Sequence, residues 1–143
     1  MSNTLVTKWT GDLGFETEIN GHTLKMDVAT GNGGHDAGPR PKPLLLAALT
    51  GCSGMDIVSI LKKMQVKDYS FSMEADGMTQ DEHPMVYKTI TVKFRFSGED
   101  LPEDKVVKAV NLSTQKYCAV NAMLKEAAEI IVKIFLNDKE VSQ

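Results

Sequence analysis

Several things are scarce in this 143-residue chain, and each scarcity removes a class of function. Positive charge is not in excess: the net charge is −3 and the lysines are scattered. Without a basic patch to neutralise phosphates, nucleic acid is excluded as the main partner. Long apolar runs are also lacking. No segment is expected to reach the roughly 18 apolar residues that a membrane span needs, and the N-terminus MSNTLVTKW does not have the layout of a signal peptide. The expectation is a cytoplasmic protein with no membrane partner. Cysteine is confined to Cys52 and Cys118, which do not form a CxxC pair, and His22, His35 and His83 are dispersed. A zinc centre built from Cys52, Cys118 and His35 is disfavoured, because structural zinc sites show close-spaced ligand pairs. The glycine-rich stretch 31–38 is not closed by Gly-Lys-Ser/Thr, so it is not a nucleotide-binding loop.

What remains is an ordinary globular composition, with 24% charged residues and a length that suits one domain over 1–143. The stretch 39–65 organises the rest. Prolines at 39, 41 and 43 precede an apolar run from Leu44 to Leu49, after which Met55, Val58, Leu61 and Met64 recur at helical spacing. One long helix starting near Pro43 is predicted, buried on nearly every side at its start and wet at its end, where Lys62 and Lys63 suit the helix dipole. Cys52 lies in its buried part, between Gly51 and Gly54, which allow a close approach by backbone or a small substrate.

Before the helix, Leu5 to Trp9, Phe15 to Ile19 and Leu24 to Val28 alternate with period two, and Asn20-Gly21 is a strong hairpin signal, so an antiparallel three-stranded meander is predicted. The loop after the meander carries His35, Asp36 and Arg40. Beyond the helix, a strand over 69–75, a tip over 76–84 and a strongly alternating strand with Val92, Phe94 and Phe96 on one face read as a hairpin. That strand's other face makes Arg95 a surface cation. A helix opens at Pro102, with Glu103 and Asp104 in its first turn. Cys118 falls at or near the start of a further helical turn, where the dipole would favour its thiolate, and EIIVKIFLND is read as the final strand.

Two buried free thiols are the plain reading of Cys52 and Cys118. A peroxide-reducing pair is the chemical one: a thiolate beside a cation, an apolar surface for the organic part of the peroxide, and a second thiol to resolve the sulfenic acid. Cys52, with Arg40 and Lys42 just upstream and Cys118 elsewhere, meets that requirement in kind. Cys52 acting alone as a nucleophile finds no local base or orienting group.

The motif Pro-x-x-Leu-Leu-Leu-Ala-Ala-Leu-x-Gly-Cys ending at Cys52, the MDIVSILKKM just beyond it and the later KYCAVNAML resemble the two cysteine motifs of the OsmC/Ohr family of organic hydroperoxide reductases, in particular its YhfA-like branch. The order of elements is similar along nearly the whole chain. The resemblance implies an α+β fold with antiparallel sheets packed on a long central cysteine-bearing helix, in an intertwined homodimer. It implies Cys52 as the peroxidatic thiol and Cys118 as the resolving one, an organic hydroperoxide substrate, a lipoyl-type or small dithiol reductant, and no metal or bound organic cofactor. The chain departs from the family pattern in one respect. Lys42 and Pro43 succeed Pro41 where the peroxidase branches have a glutamate, and 5–21 contains no arginine, so the usual activating Arg/Glu pair is missing. Arg40 is the candidate replacement cation. The alternative reading is an OsmC-like dimer that has lost efficient peroxidase activity and serves as a small-ligand-binding or stress-associated protein.

Overall fold

The computed structural model describes residues 1–143, which form two compact units, Met1–Leu45 and Leu46–Gln143. The first unit is the predicted meander: β1 (Thr7–Gly11), β2 (Gly14–Ile19) and β3 (His22–Met26) pair antiparallel in the order β1-β2-β3. Asn20 (φ 51°) and Gly21 (φ 81°) both turn left-handed, which matches the right-handed twist of the strands they join. The loop after β3 is held by a buried acid. Asp27 accepts backbone hydrogen bonds from Val28 (2.8 Å), His35 (3.0 Å) and Ala37 (3.2 Å). Gly34 and Gly38 lie so close to the backbone of Val28 and Lys25 that a Cβ would sit 2.3 Å and 2.2 Å from their carbonyl oxygens.

The helix expected near Pro43 is α1 (Pro43–Lys63). It is not buried all round at its start. Its buried residues Leu49, Ser53, Ile57 and Leu61 recur every four positions, joined by Gly54, whereas Leu45, Met55 and Val58 are exposed. One chain supplies one packing partner, so one stripe is covered. The helix also corrects the expectation about apolar length: an 18-residue window has mean hydropathy 1.9, long and apolar enough by composition to cross a membrane. Its Gly, Thr and Ser residues hardly lower that average, and Asp56 is the one charge before Lys62. Leu49, Ile57 and Leu61 are completely buried in the protein interior, although only 28% of that window is buried in all.

That stripe packs with a four-stranded sheet in the order β4-β5-β6-β7, made of β4 (Ser70–Thr79), β5 (Tyr87–Ser97), β6 (Glu129–Leu136) and β7 (Lys139–Val141). Ile90, Val92, Phe94 and Phe96 of β5 and Ile134 of β6 meet Leu49, Ile57 and Leu61 in the core, together with Val106, Ala109 and Val110 of α2 (Glu103–Leu112). At Gly54 a Cβ would come within 2.6 Å of the Met73 methyl on β4, so this glycine does serve close approach. The sheet is not wholly antiparallel: β5 and β6 pair parallel. The segment between them contains α2 and α3 (Ala119–Leu124), a helical crossover that returns the chain to the end of the sheet where β5 began. Nor is β6 the last strand, because Asn137 (φ 50°) and Asp138 (φ 66°) turn the chain into β7.

Candidate functional site

The site lies wholly within the second unit, where two arms of the chain meet. The first arm is α1. Cys52 and Asp56, four residues apart, share a helix face beside the buried stripe, and both are half-buried. Ser53, on the stripe itself, is 1% exposed.

The second arm begins where α2 ends. Instead of continuing as an α-helix, the chain makes a π-helical turn over Ser113–Tyr117, closed by the Cys118 amide donating to the Ser113 carbonyl at 2.8 Å. Cys118 then adopts an extended backbone (φ −73°, ψ 105°) and occupies the cap position of α3. Its sulfur takes the place of the oxygen usually found at a helix start, accepting from the Asn121 amide at 3.3 Å. A second donor arrives from α1, the Ser53 hydroxyl, also at 3.3 Å. Cys118 is 3% exposed.

Together the arms bring Cys52 Sγ, Cys118 Sγ and an Asp56 carboxylate oxygen within 4.8 Å of one another. Ser113 ties the group together, since its hydroxyl lies 3.1 Å from Asp56 Oδ2 and 3.3 Å from the Ser53 carbonyl. It has one proton for these two acceptors. Asp56 is in no ion pair.

The cap position of Cys118 agrees with the sequence reading, but the expected electrostatic consequence is not realised. Burial pushes the Cys118 thiol above its ordinary value, and the neighbouring Cys52 adds to the rise. The Ser53 and Asn121 donors oppose this without overcoming it. At this buried position, loss of water around a thiolate outweighs two neutral donors at the start of a six-residue helix.

The structure therefore brings Cys52 and Cys118 together across 66 positions of sequence. Arg40 belongs to the first unit, where Nη1 pairs with Asp36 and donates to the Gly38 carbonyl at 3.1 Å. His35 is in the same unit with Nε2 2.6 Å from Asp12, which raises its pKa. Arg95 is the surface cation that alternation predicts, lying 4.0 Å from Glu74 and over the Phe135 ring. Sequence reasoning missed Asp56, Ser53, Ser113 and Asn121. For Asp56 a signal was present, because a Cys-x-x-x-Asp spacing on a helix puts both side chains on one face. Nothing local marks Ser113, whose partners lie 57 and 60 positions away.

Comparison with known proteins bears on the family and the fold. Residues 33–133 match the family model described as OsmC-like protein. The chain is 37% identical to Protein YhfA of Escherichia coli over 124 residues, covering 86% of this chain and 90% of that protein. Among solved structures, a hypothetical protein of Aquifex aeolicus superposes with a TM-score of 0.83 at 25% identity, covering 96% of this chain and 97% of the other. The organic hydroperoxide resistance protein OhrB of Bacillus subtilis shares the fold with a TM-score of 0.61 at 18% identity, over 94% of this chain and 98% of its own. With a family match over most of its length, a relative at more than a third identity and the fold itself in agreement, this chain belongs to the OsmC-like family.

Proposed function

We propose that this protein is a thiol-dependent organic hydroperoxide reductase in which Cys52 is the peroxidatic thiol and Cys118 the resolving one. The observation that carries the reading is the approach of the two sulfurs to within 4.8 Å, although 66 residues separate them in the chain. Family membership supports it as well, since organic hydroperoxide resistance proteins share the fold. Cys52 is the more accessible of the two and so the one that meets substrate. Its thiolate attacks the distal peroxide oxygen, forming the S–O bond as the O–O bond breaks, and the alkoxide leaves as an alcohol after taking a proton. Sulfur is oxidised by two electrons and the peroxide reduced by two. Cys118 then attacks the sulfenic sulfur and expels water, which requires closing to the roughly 2.05 Å of a disulfide. An external dithiol restores both thiols by exchange.

On this reading 1–143 acts as one domain, works in the cytoplasm, and pairs with a second copy. The exposure of Leu45, Met55 (77%) and Val58 on α1 supports pairing, because an apolar helix face is readily covered by its own copy. The test is thiol counting and intact mass after one equivalent of cumene hydroperoxide, on the wild type and on Cys52→Ser and Cys118→Ser. The expected result is an internal disulfide in the wild type, sulfenic acid on Cys52 in Cys118→Ser, and no turnover in Cys52→Ser. Full activity of Cys52→Ser would sink the assignment.

A second reading has its own support. The donors to Cys118 are neutral, an aspartate stands beside both sulfurs, and Arg40 is paired with Asp36. These favour an OsmC fold that has lost efficient peroxidase chemistry and holds a small ligand instead. It predicts sluggish oxidation of both thiols in the same experiment.

A further inference from the structure

We propose that Cys52, Asp56 and Cys118 form a binding site for a thiophilic divalent cation, Zn2+ being the best fit. The inference does not depend on peroxide turnover.

Three groups that are anionic when they bind a metal, two sulfurs and a carboxylate, point at one spot with their ligand atoms within 4.8 Å of one another. No lysine or arginine pairs with Asp56, and the donors to Cys118 are a hydroxyl and an amide. A divalent cation bound there supplies the counter-charge to the carboxylate and to the thiolates that form on binding. The geometry is close to what tetrahedral zinc requires. With Zn–S bonds of about 2.3 Å, two sulfurs on one tetrahedral ion stand about 3.8 Å apart, so the two sulfurs need to close by about 1 Å at most. Two thiolates select soft ions over Mg2+ or Ca2+, and a three-residue set leaves a fourth position open.

The surroundings behave as an outer shell for such a centre. Ser53 and Asn121 donate to the Cys118 sulfur, and Ser113 donates to Asp56 Oδ2, leaving the carboxylate other lone pairs for an ion. Donors of this kind orient metal ligands. The objection raised by the sequence, that no close-spaced ligand pair exists, is met by Cys52 and Asp56, one helical turn apart on α1. On binding, the two thiols release their protons to solvent, Asp56 binds as a carboxylate, and no electrons move. Because the ion engages both sulfurs, the metal-bound and disulfide forms exclude one another.

The test uses reduced full-length protein titrated with Co2+ and then Zn2+. One Co2+ per chain is expected, with intense sulfur-to-cobalt charge-transfer bands and tetrahedral d–d bands that Zn2+ erases. Asp56→Asn should weaken Zn2+ at least tenfold in competition with a chromophoric chelator, while Asp56→Glu keeps most of the affinity. Cys52→Ser and Cys118→Ser should each lose charge-transfer intensity. A Co2+ spectrum that stays that of the hydrated ion overturns the proposal, as does Zn2+ affinity unchanged in Asp56→Asn or retained in the double serine variant. Failure of peroxide to oxidise the thiols leaves the cobalt spectrum unaffected, so the two readings fail separately.

Discussion

The two units each hold an aspartate at the centre of a polar cluster, and the two acids are used in opposite ways. Asp27 in the loop after β3 is 3% exposed, and its oxygens are occupied by three backbone amides of its own loop. The Val28 amide foremost, with His35 and Ala37, holds its carboxyl below the ordinary value against the effect of burial. Asp56 on α1 receives one serine hydroxyl and faces two sulfurs. Asp27 has most of its acceptor sites taken by the fold; Asp56 has more to spare. A buried acid whose oxygens are held by backbone is architecture, whereas a half-buried one beside two thiols has room for a further partner.

The largest expected effect removes support for the second cluster altogether. Ile57→Ala, a fully buried position next to Asp56, should cost about 3 kcal/mol in urea unfolding and speed alkylation of Cys118, while the amides around Asp27 keep their protection from exchange. Asp27→Ala makes the converse break. With three donors orphaned, exchange at Val28, His35 and Ala37 should accelerate on the order of tenfold or more, with Cys118 unchanged. The same contrast has a pH signature. Because Asp27 has a lowered folded pKa, its stabilisation is complete above the unfolded value of about 3.9 and is lost as pH falls through the folded one. Acid unfolding of the wild type should carry a step that Asp27→Asn lacks, and an identical acid profile would count against the structural role of Asp27. Ser53→Ala deletes one of the two donors that pull the Cys118 thiol down, so its alkylation at pH 8 should slow about fivefold, the worth of one hydrogen bond. The smallest effect is on stability in Asp56→Asn, expected to be about 1 kcal/mol or less, since little of the fold leans on that side chain.

Much of the molecule is readable from its residues, for reasons that differ by element. The meander is legible because Gly11, Gly14 and Asn20-Gly21 punctuate period-two strands with residues that tolerate left-handed turns. The position of α1 is legible from the proline that opens it and the apolar spacing behind it, and Cys118 from the helical pattern after it. The parallel pairing of β5 with β6 is not, because alternation looks alike in either direction and only the path of the crossover decides. Lys139–Val141 is too short and polar to announce a strand. The exposed side of α1 is hidden because an apolar run says that burial is wanted, not how much of it one chain supplies. Within the site, the cysteines and the Cys-x-x-x-Asp spacing are local and visible, whereas Ser113 acts through contacts nearly sixty residues away, which no local pattern encodes.

The wide turn at Ser113–Tyr117 has a further consequence. A helix rotates by about 100° per residue, so the one extra residue held in that turn acts as a phase adjuster between α2 and α3. Deleting a single residue there would let the chain run on as an ordinary helix and swing Cys118 to another bearing, with net charge and both cysteines intact. Whether the two sulfurs of this chain meet is thus a matter of counting as much as of chemistry, and an insertion or deletion of one residue can unmake the pair without touching either thiol.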